Sequence, residues 1–288
     1  MKKVKFEFVK YQACGNDFIL RDDRGGISIP EEKKPKIVRI LCDRHFGVGA
    51  DGVLFVEESK GAHGRMRLFC PDGQEAFMCG NGIRCVADYL YNDLKEDKLL
   101  IDTKDGVKKV LRIGENLYQV SMGKLRYTMK DLSKFFKGDF RNKEILLEKE
   151  MVFPDIGKLK ISIVSTGEPH VVIFVKDLEN EDISKYGNAI AKNFDMFPYG
   201  VNTNLCEVID DKTVRVRTYE SGAYYETMAC GTGATACAAV AYFTGKVKNN
   251  KVEVITKGGR MVIEVSEDNL LMTGPAHLVF RGEIYLSP

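Results

Sequence analysis

Two short segments hold the residues best suited to chemistry: Met78-Cys79-Gly80-Asn81-Gly82 and, 151 residues later, Ala229-Cys230-Gly231-Thr232-Gly233. Each sets a cysteine and two glycines at the start of a helical pattern. The first N–H groups of a helix lack partners within it, and the macrodipole puts partial positive charge there. A thiol held at such an end has a lowered pKa and can act as a base. The flanking glycines let backbone amides approach an anion closely, so each turn can also hold one side of a carboxylate. Two such turns facing each other would grip one α-carboxylate and put a thiol on each face of the neighbouring carbon. That arrangement suits removal of a proton from one face and delivery to the other, which is racemisation or epimerisation.

The remaining cysteines, Cys14, Cys42, Cys70, Cys85, Cys206 and Cys237, form no Cys-x-x-Cys pair, and no Cys/His cluster has zinc-finger spacing. They read as small buried hydrophobes in a reduced setting, and no metal site is expected.

Alternating or β-branched runs recur along the chain, at Val4–Phe8, Val53–Glu57, Gly106–Ile113, Lys158–Val164, Val171–Val175, Val214–Thr218, Lys251–Thr256 and Met261–Val265. Helical patterns are fewer: Lys34–Cys42, Ile83–Leu94, Ile183–Phe194 and Ala234–Gly245. The fold class is therefore α+β with mostly antiparallel strands, the helices being too few to serve as crossovers between successive strands. Tyr127–Met151 reads as a charged, partly helical stretch. Thr227–Gly245 carries no charge, but its three glycines and four threonines point to a buried helix after a glycine turn and not to a membrane span.

The 288 residues allow about two domains. With 29% charged and 44% hydrophobic residues the composition is that of an ordinary globular protein. A net charge of +2 offers no electrostatic case for nucleic acid or an anionic membrane. The first residues alternate instead of forming the apolar run of a signal peptide, so a cytoplasmic location is expected.

Further motifs stand in order along the chain: GNDF at Gly15–Phe18, DRHFGVGADG at Asp43–Gly52, MCGNGIRC at Met78–Cys85, Pro169-His170, Val201-Asn202, ACGTGA at Ala229–Ala234 and TGPAHLVFRGEI near the end. With them the chain resembles the diaminopimelate epimerase family. The resemblance implies two similar domains, each a mixed, mostly antiparallel barrel-like sheet around a central helix, with the active site in the cleft between them. The expected boundaries are 1–122 plus 276–288 for the domain with Cys79, and 123–275 for the domain with Cys230. It implies no cofactor, an amino acid as the small-molecule partner, and a homodimer. Carried over by position, Cys79 and Cys230 are the acid/base pair, one thiolate and one thiol. Gly80, Asn81, Gly231 and Thr232 hold the α-carboxylate, Asn16 contacts substrate, and His170 and Glu220 tune the thiols and position the α-amino end.

The chain departs from the family at the far end of the substrate. Family members hold the distal carboxylate with asparagines in N-A-D-G, G-N-P-H and V-N and an arginine in E-R-G. Here those positions are Cys70, Glu168, Asn202 and Ser221, so three of four carboxylate ligands are gone. Loss of a charged donor costs about 1.5–3 kcal/mol, and a glutamate at about 4 Å from a carboxylate adds roughly 1–4 kcal/mol of repulsion. A side chain that donates hydrogen bonds or carries positive charge is expected instead. Histidine is the first expectation, since Tyr224 and Tyr225 could stack on a flat ring. Lysine, ornithine and arginine follow, and diaminopimelate itself is the alternative. Proline racemisation fits the first cysteine motif poorly, and intact Cys79 and Cys230 argue against a protein that only binds.

Overall fold

The computed structural model describes residues 4–26 and 29–286. The chain divides into two compact units, Met1–Val120 with Gly274–Pro288, and Ser121–Thr273. In the first, β1 (Val4–Ala13), β2 (Asn16–Asp22), α1 (Lys34–Cys42), β3 (Gly52–Glu57), β4 (Gly64–Phe69), α2 (Gly80–Leu94), β5 (Lys98–Asp102), β6 (Lys108–Gly114) and β7 (Leu117–Gly123) follow in order. The second holds α3 (Met129–Leu132), β8 (Lys149–Phe153), β9 (Gly157–Ser165), β10 (Pro169–Phe174), α4 (Ile183–Ile190), β11 (Asn202–Val208), β12 (Thr213–Glu220), β13 (Tyr225–Thr227), α5 (Gly231–Phe243), β14 (Lys251–Thr256), β15 (Gly259–Val265) and β16 (Leu270–Pro275). The last strand, β17 (His277–Leu286), returns to pair antiparallel with β1.

The two units repeat one pairing scheme. In the first, β1–β2, β3–β4, β5–β6 and β6–β7 are antiparallel, while β2–β3 and β4–β5 are parallel. In the second, β9–β10, β11–β12, β14–β15 and β15–β16 are antiparallel, while β10–β11 and β12–β14 are parallel. A parallel pair needs a long return connection, and here each contains a helix: α1, α2, α4 and α5. The fold is α+β and mostly antiparallel as expected, but the expectation that helices are too few for crossovers is corrected. Strands β2, β4 and β11 are short and carry Asn, Asp, Arg or Glu among their apolar residues, which hid the partners of the parallel pairs.

Helices take two positions in each unit. α1 packs with Phe6, Ile19, Val53 and Phe55, and α4 with Ile161, Val171, Leu205 and Tyr219. α2 lies against β1 to β6 and β17, and α5 against β9 to β12, β14 and β15, so each is the central helix of its unit. α5 is buried from Gly231 to Ala241, which explains its lack of charge. Among the described residues no helix is long and apolar enough to cross a membrane. α4 stops at Ile190, four residues before the expected end, because turns follow and Asn193 Oδ1 accepts the Met196 N–H.

Candidate active site

Cys79 is the N-cap of α2, and its Sγ accepts the Gly82 N–H at 3.2 Å. Cys230 is the N-cap of α5, and its Sγ accepts the Gly233 N–H at 3.3 Å. In both, sulfur takes the place of the oxygen that a Ser, Thr, Asp or Asn cap supplies to the third helical residue. Space at that third position is tight in both turns and closed at Gly233. A Cβ on Gly233 would sit 2.4 Å from Asn204 Oδ1 and 3.2 Å from Cys230 Cβ, and one on Gly82 would lie 3.0 Å from Leu54 Cδ2 and 3.4 Å from Cys79 Sγ. None of the eight cysteines is in a disulfide.

Around Cys79 the hydrogen bonds run in one direction. Buried Arg84, one turn further along α2, donates from Nη2 to Asn81 Oδ1 at 2.7 Å. Asn81 Nδ2 donates to Asn16 Oδ1 at 3.1 Å, and Asn16 Nδ2 donates to Asp51 Oδ2 at 2.8 Å. Asp51 Oδ1 accepts from Arg44 at 2.7 Å. Arginine only donates and an aspartate carboxylate accepts, so the two ends fix which way both amides point. Cys70 lies in the turn after β4, where its carbonyl accepts the Gly73 N–H.

The second unit gathers more of the expected residues. The Thr232 carbonyl accepts the Thr166 hydroxyl at 2.9 Å, and the Thr166 N–H bonds the Glu168 carbonyl, which brings the Glu168 turn to the Cys230 turn. His170 and Asn202 are register partners on β10 and β11. Asn202 Oδ1 accepts the Ser221 N–H at 2.9 Å, and Glu220 accepts the Thr227 hydroxyl at 2.6 Å. Tyr224 has positive φ, packs on the unit's core cluster and lies under Lys192, whose Nζ is 5.5 Å from its ring. Tyr225 is exposed on β13.

Asn204 was not singled out from the sequence, because a polar residue inside a strand carries no signal by itself. Its amide N–H groups face the carbonyls of Val171 and Asn202 and His170 Nδ1 at 3.2 Å, while its Oδ1 accepts the Thr218 hydroxyl. The donor facing Nδ1 puts the imidazole proton on Nε2. That Nε2 is buried without a hydrogen-bond partner among the described residues. Burial alone pulls the His170 pKa down to about 3, so the ring is neutral at physiological pH and a weak base there. The unfolded chain binds a proton near the ordinary histidine value and the folded one does not. Stability is therefore lost as pH falls from about 6.5 toward 3, at about 1.4 kcal/mol per pH unit from this group. Urea unfolding at pH 6 and pH 4 is expected to show that slope, and His170→Gln to lack it.

Among the described residues no group of three or more His, Cys, Asp or Glu side chains forms a metal-holding cluster. Solved structures of similar fold include a probable proline racemase from Agrobacterium radiobacter K84 (TM-score 0.71, 14% identity, 98% of this chain and 93% of that one). A hydroxyproline epimerase from Agrobacterium vitis is alike at TM-score 0.70, 14% identity, 99% of this chain and 93% of that one. These likenesses show the fold, in which each unit here carries a central helix capped by a cysteine. The family model for diaminopimelate epimerase matches residues 8–128 and 162–279. Proteins named diaminopimelate epimerase from Archaeoglobus fulgidus (40% identity, 99% of this chain, 98% of the relative) and Methanocella arvoryzae (38%, 98% and 97%) match along nearly their whole lengths. The chain belongs to the diaminopimelate epimerase family.

Proposed function

We propose that the protein inverts an amino acid α-carbon with Cys79 and Cys230 as its acid/base pair. One thiolate removes the α-proton, and the other thiol protonates the resulting carbanion on the opposite face. The observation that carries the reading is the matched pair of N-caps, each sulfur held by the N–H of the third helical residue. Gly80, Asn81, Gly231 and Thr232 supply N–H groups for the α-carboxylate, and Asn16, oriented by Asp51, adds a side-chain donor. His170 contributes as a neutral N–H donor, and Glu220 takes the α-amino end. The reading needs no cofactor and carries with it a cytoplasmic homodimer.

For the far end of the substrate we favour a basic amino acid, histidine before lysine. Glu168 sits on the turn bonded to Thr232, and Asn202 Oδ1 is engaged by the Ser221 N–H where the family pattern has an arginine. The names of the relatives favour a second reading, interconversion of LL- and meso-diaminopimelate. Deuterium entry at Cα in heavy water, followed by NMR with L-histidine, L-lysine, L-arginine and LL-diaminopimelate in parallel, separates the two. Exchange with histidine or lysine and none with diaminopimelate is expected, and exchange with diaminopimelate alone would overturn the basic substrate.

A further inference from the structure

The start of α5 rests on a polar floor laid down by the pairing of the strands. Alternate residues of a strand share a face, so Asn202 and Asn204 stand on one side of β11, and Thr203 and Leu205 on the other. The register sets Thr218 beside Asn204 and His170 beside Asn202. Space at Gly233 shows that this side looks to the Cys230 turn, since a Cβ there would meet Asn204 Oδ1 at 2.4 Å and Thr218 Oγ1 at 3.2 Å. Leu205, on the other side, packs with Ile183 and Ile190 of α4. His170, Asn202, Asn204 and Thr218 are all buried, so each hydrogen bond among them has a defined direction.

The backbone decides the first of those directions. The amide nitrogen of Asn204 lies 2.9 Å from the Val171 carbonyl and 3.3 Å from the Asn202 carbonyl. Carbonyl oxygens only accept, so these contacts identify the NH2 end of the amide without reference to the histidine. Oδ1 is left to accept the Thr218 hydroxyl at 2.9 Å. The same NH2 stands 3.2 Å from His170 Nδ1, which must therefore offer its lone pair. At the first cysteine turn two charged groups orient the asparagines; here two backbone carbonyls do it, and no charge enters.

From this geometry we infer that Asn204 is a positioning residue for the reaction: by donating to Nδ1 it holds His170 as the Nε2–H tautomer, so that the ring presents a donor and not a lone pair to the substrate. The inference rests on the reading of His170 as a site residue. Which ring nitrogen carries the proton of a neutral histidine is set by the bond that the other makes. Nε2 is buried and meets no partner among the described residues, which leaves its N–H for the substrate. A fixed N–H dipole stabilises negative charge that develops when the α-proton departs, whereas a lone pair in its place would oppose that charge. Thr218 holds the far end of the Asn204 amide, and so the order of command runs from the backbone through Asn204 to the ring.

The test reads the ring before it reads the reaction. In the full-length protein labelled with nitrogen-15, correlations between the ring nitrogens and carbon-bound ring protons tell a protonated nitrogen from a bare one. The chain has four histidines, and the set of signals lost in His170→Gln assigns His170. At neutral pH a protonated Nε2 and a bare Nδ1 are expected; the reverse, or a ring protonated on both, overturns the inference. Asn204→Asp puts an acceptor in place of the NH2 and is expected to move the proton to Nδ1. With the amino acid that exchanges its α-proton fastest in the unaltered protein, kcat for exchange is then expected to fall about a hundredfold, the cost of one preorganised donor, with KM little changed. Asn204→Leu, close in size and without donor or acceptor, is expected to give a mixture of tautomers and serves if the aspartate variant does not fold. An unmoved tautomer in either folded variant overturns the role of Asn204, as does undiminished exchange once the tautomer has reversed. Thr203→Val, on the other side of the same strand, is expected to change neither, and an equal fall in exchange there would reduce Asn204 to a structural part. No substrate enters the ring measurement, so its failure is distinct from failure of the racemase reading, which the exchange assay of the unaltered protein reports.

Discussion

Serine at position 79 or at position 230 is expected to stop interconversion, with turnover at least about a thousandfold below that of the unaltered protein. A hydroxyl ionises far above the thiol range, so one face of the α-carbon would lose its base in one direction and its effective acid in the other. Serine is also among the preferred N-cap residues, so its oxygen can take the N–H of Gly82 or Gly233 that sulfur now accepts. Each variant should therefore fold as well as the parent, and unchanged thermal unfolding beside lost activity would assign the loss to chemistry. Substantial racemisation by either variant, followed by chiral chromatography, would sink the two-thiol mechanism.

Gly233→Ala is expected to lower turnover about a hundredfold and stability by about 1–3 kcal/mol. The added methyl would lie 2.4 Å from Asn204 Oδ1 and 3.2 Å from both Thr218 Oγ1 and Cys230 Cβ. Asn204 is fully buried and tied to Val171, Asn202 and Thr218, so it cannot retreat without releasing His170. The alternative is a shift of the Cys230 turn itself, and a displacement of an ångström in a reacting group is costly. Gly82→Ala is the natural comparison. Its nearest neighbour would be the end of the Leu54 side chain at 3.0 Å, which can rotate aside, so a tenfold loss or less is expected. Urea denaturation and initial rates on both variants check the pair, and equal effects would contradict the role given to Asn204.

The parts of the site that lie close together along the chain were legible in the sequence. Both cysteine turns could be read because a Cys-Gly-x-Gly run ahead of a helical pattern places sulfur, amides and dipole within five residues. α1 was placed to the residue, since its apolar spacing carries no competing signal. Asn204 was not visible, because its role arises from pairing between segments far apart in sequence: it reaches His170 34 positions away. Arg44 and Asp51 stood together inside a quoted motif, but the bond that ties Asp51 to Asn16 at the start of β2 spans 35 positions. Arg84 stood inside a quoted motif, yet its burial is a property of the packed helix and not of the motif. Tyr224 packs on the core of its own unit, a contact that its residue type alone does not reveal.

The return of β17 to β1 bears on the order in which the chain is completed during synthesis. Val4 pairs with Leu286 and Gln12 with His277, so β1 leaves the ribosome with one edge unpaired. At about 5–20 residues per second it waits roughly 10–60 s for its partner. The second unit, Ser121–Thr273, is continuous, and every residue it needs is translated before β17 exists. The unit that begins first is thus finished last. A chain cut short after Pro275 would carry a finished second unit and a first unit whose ten-residue leading strand offers a bare edge to any neighbouring chain. β17 thereby closes the free edge of β1, and a chain that stops before it leaves that edge open.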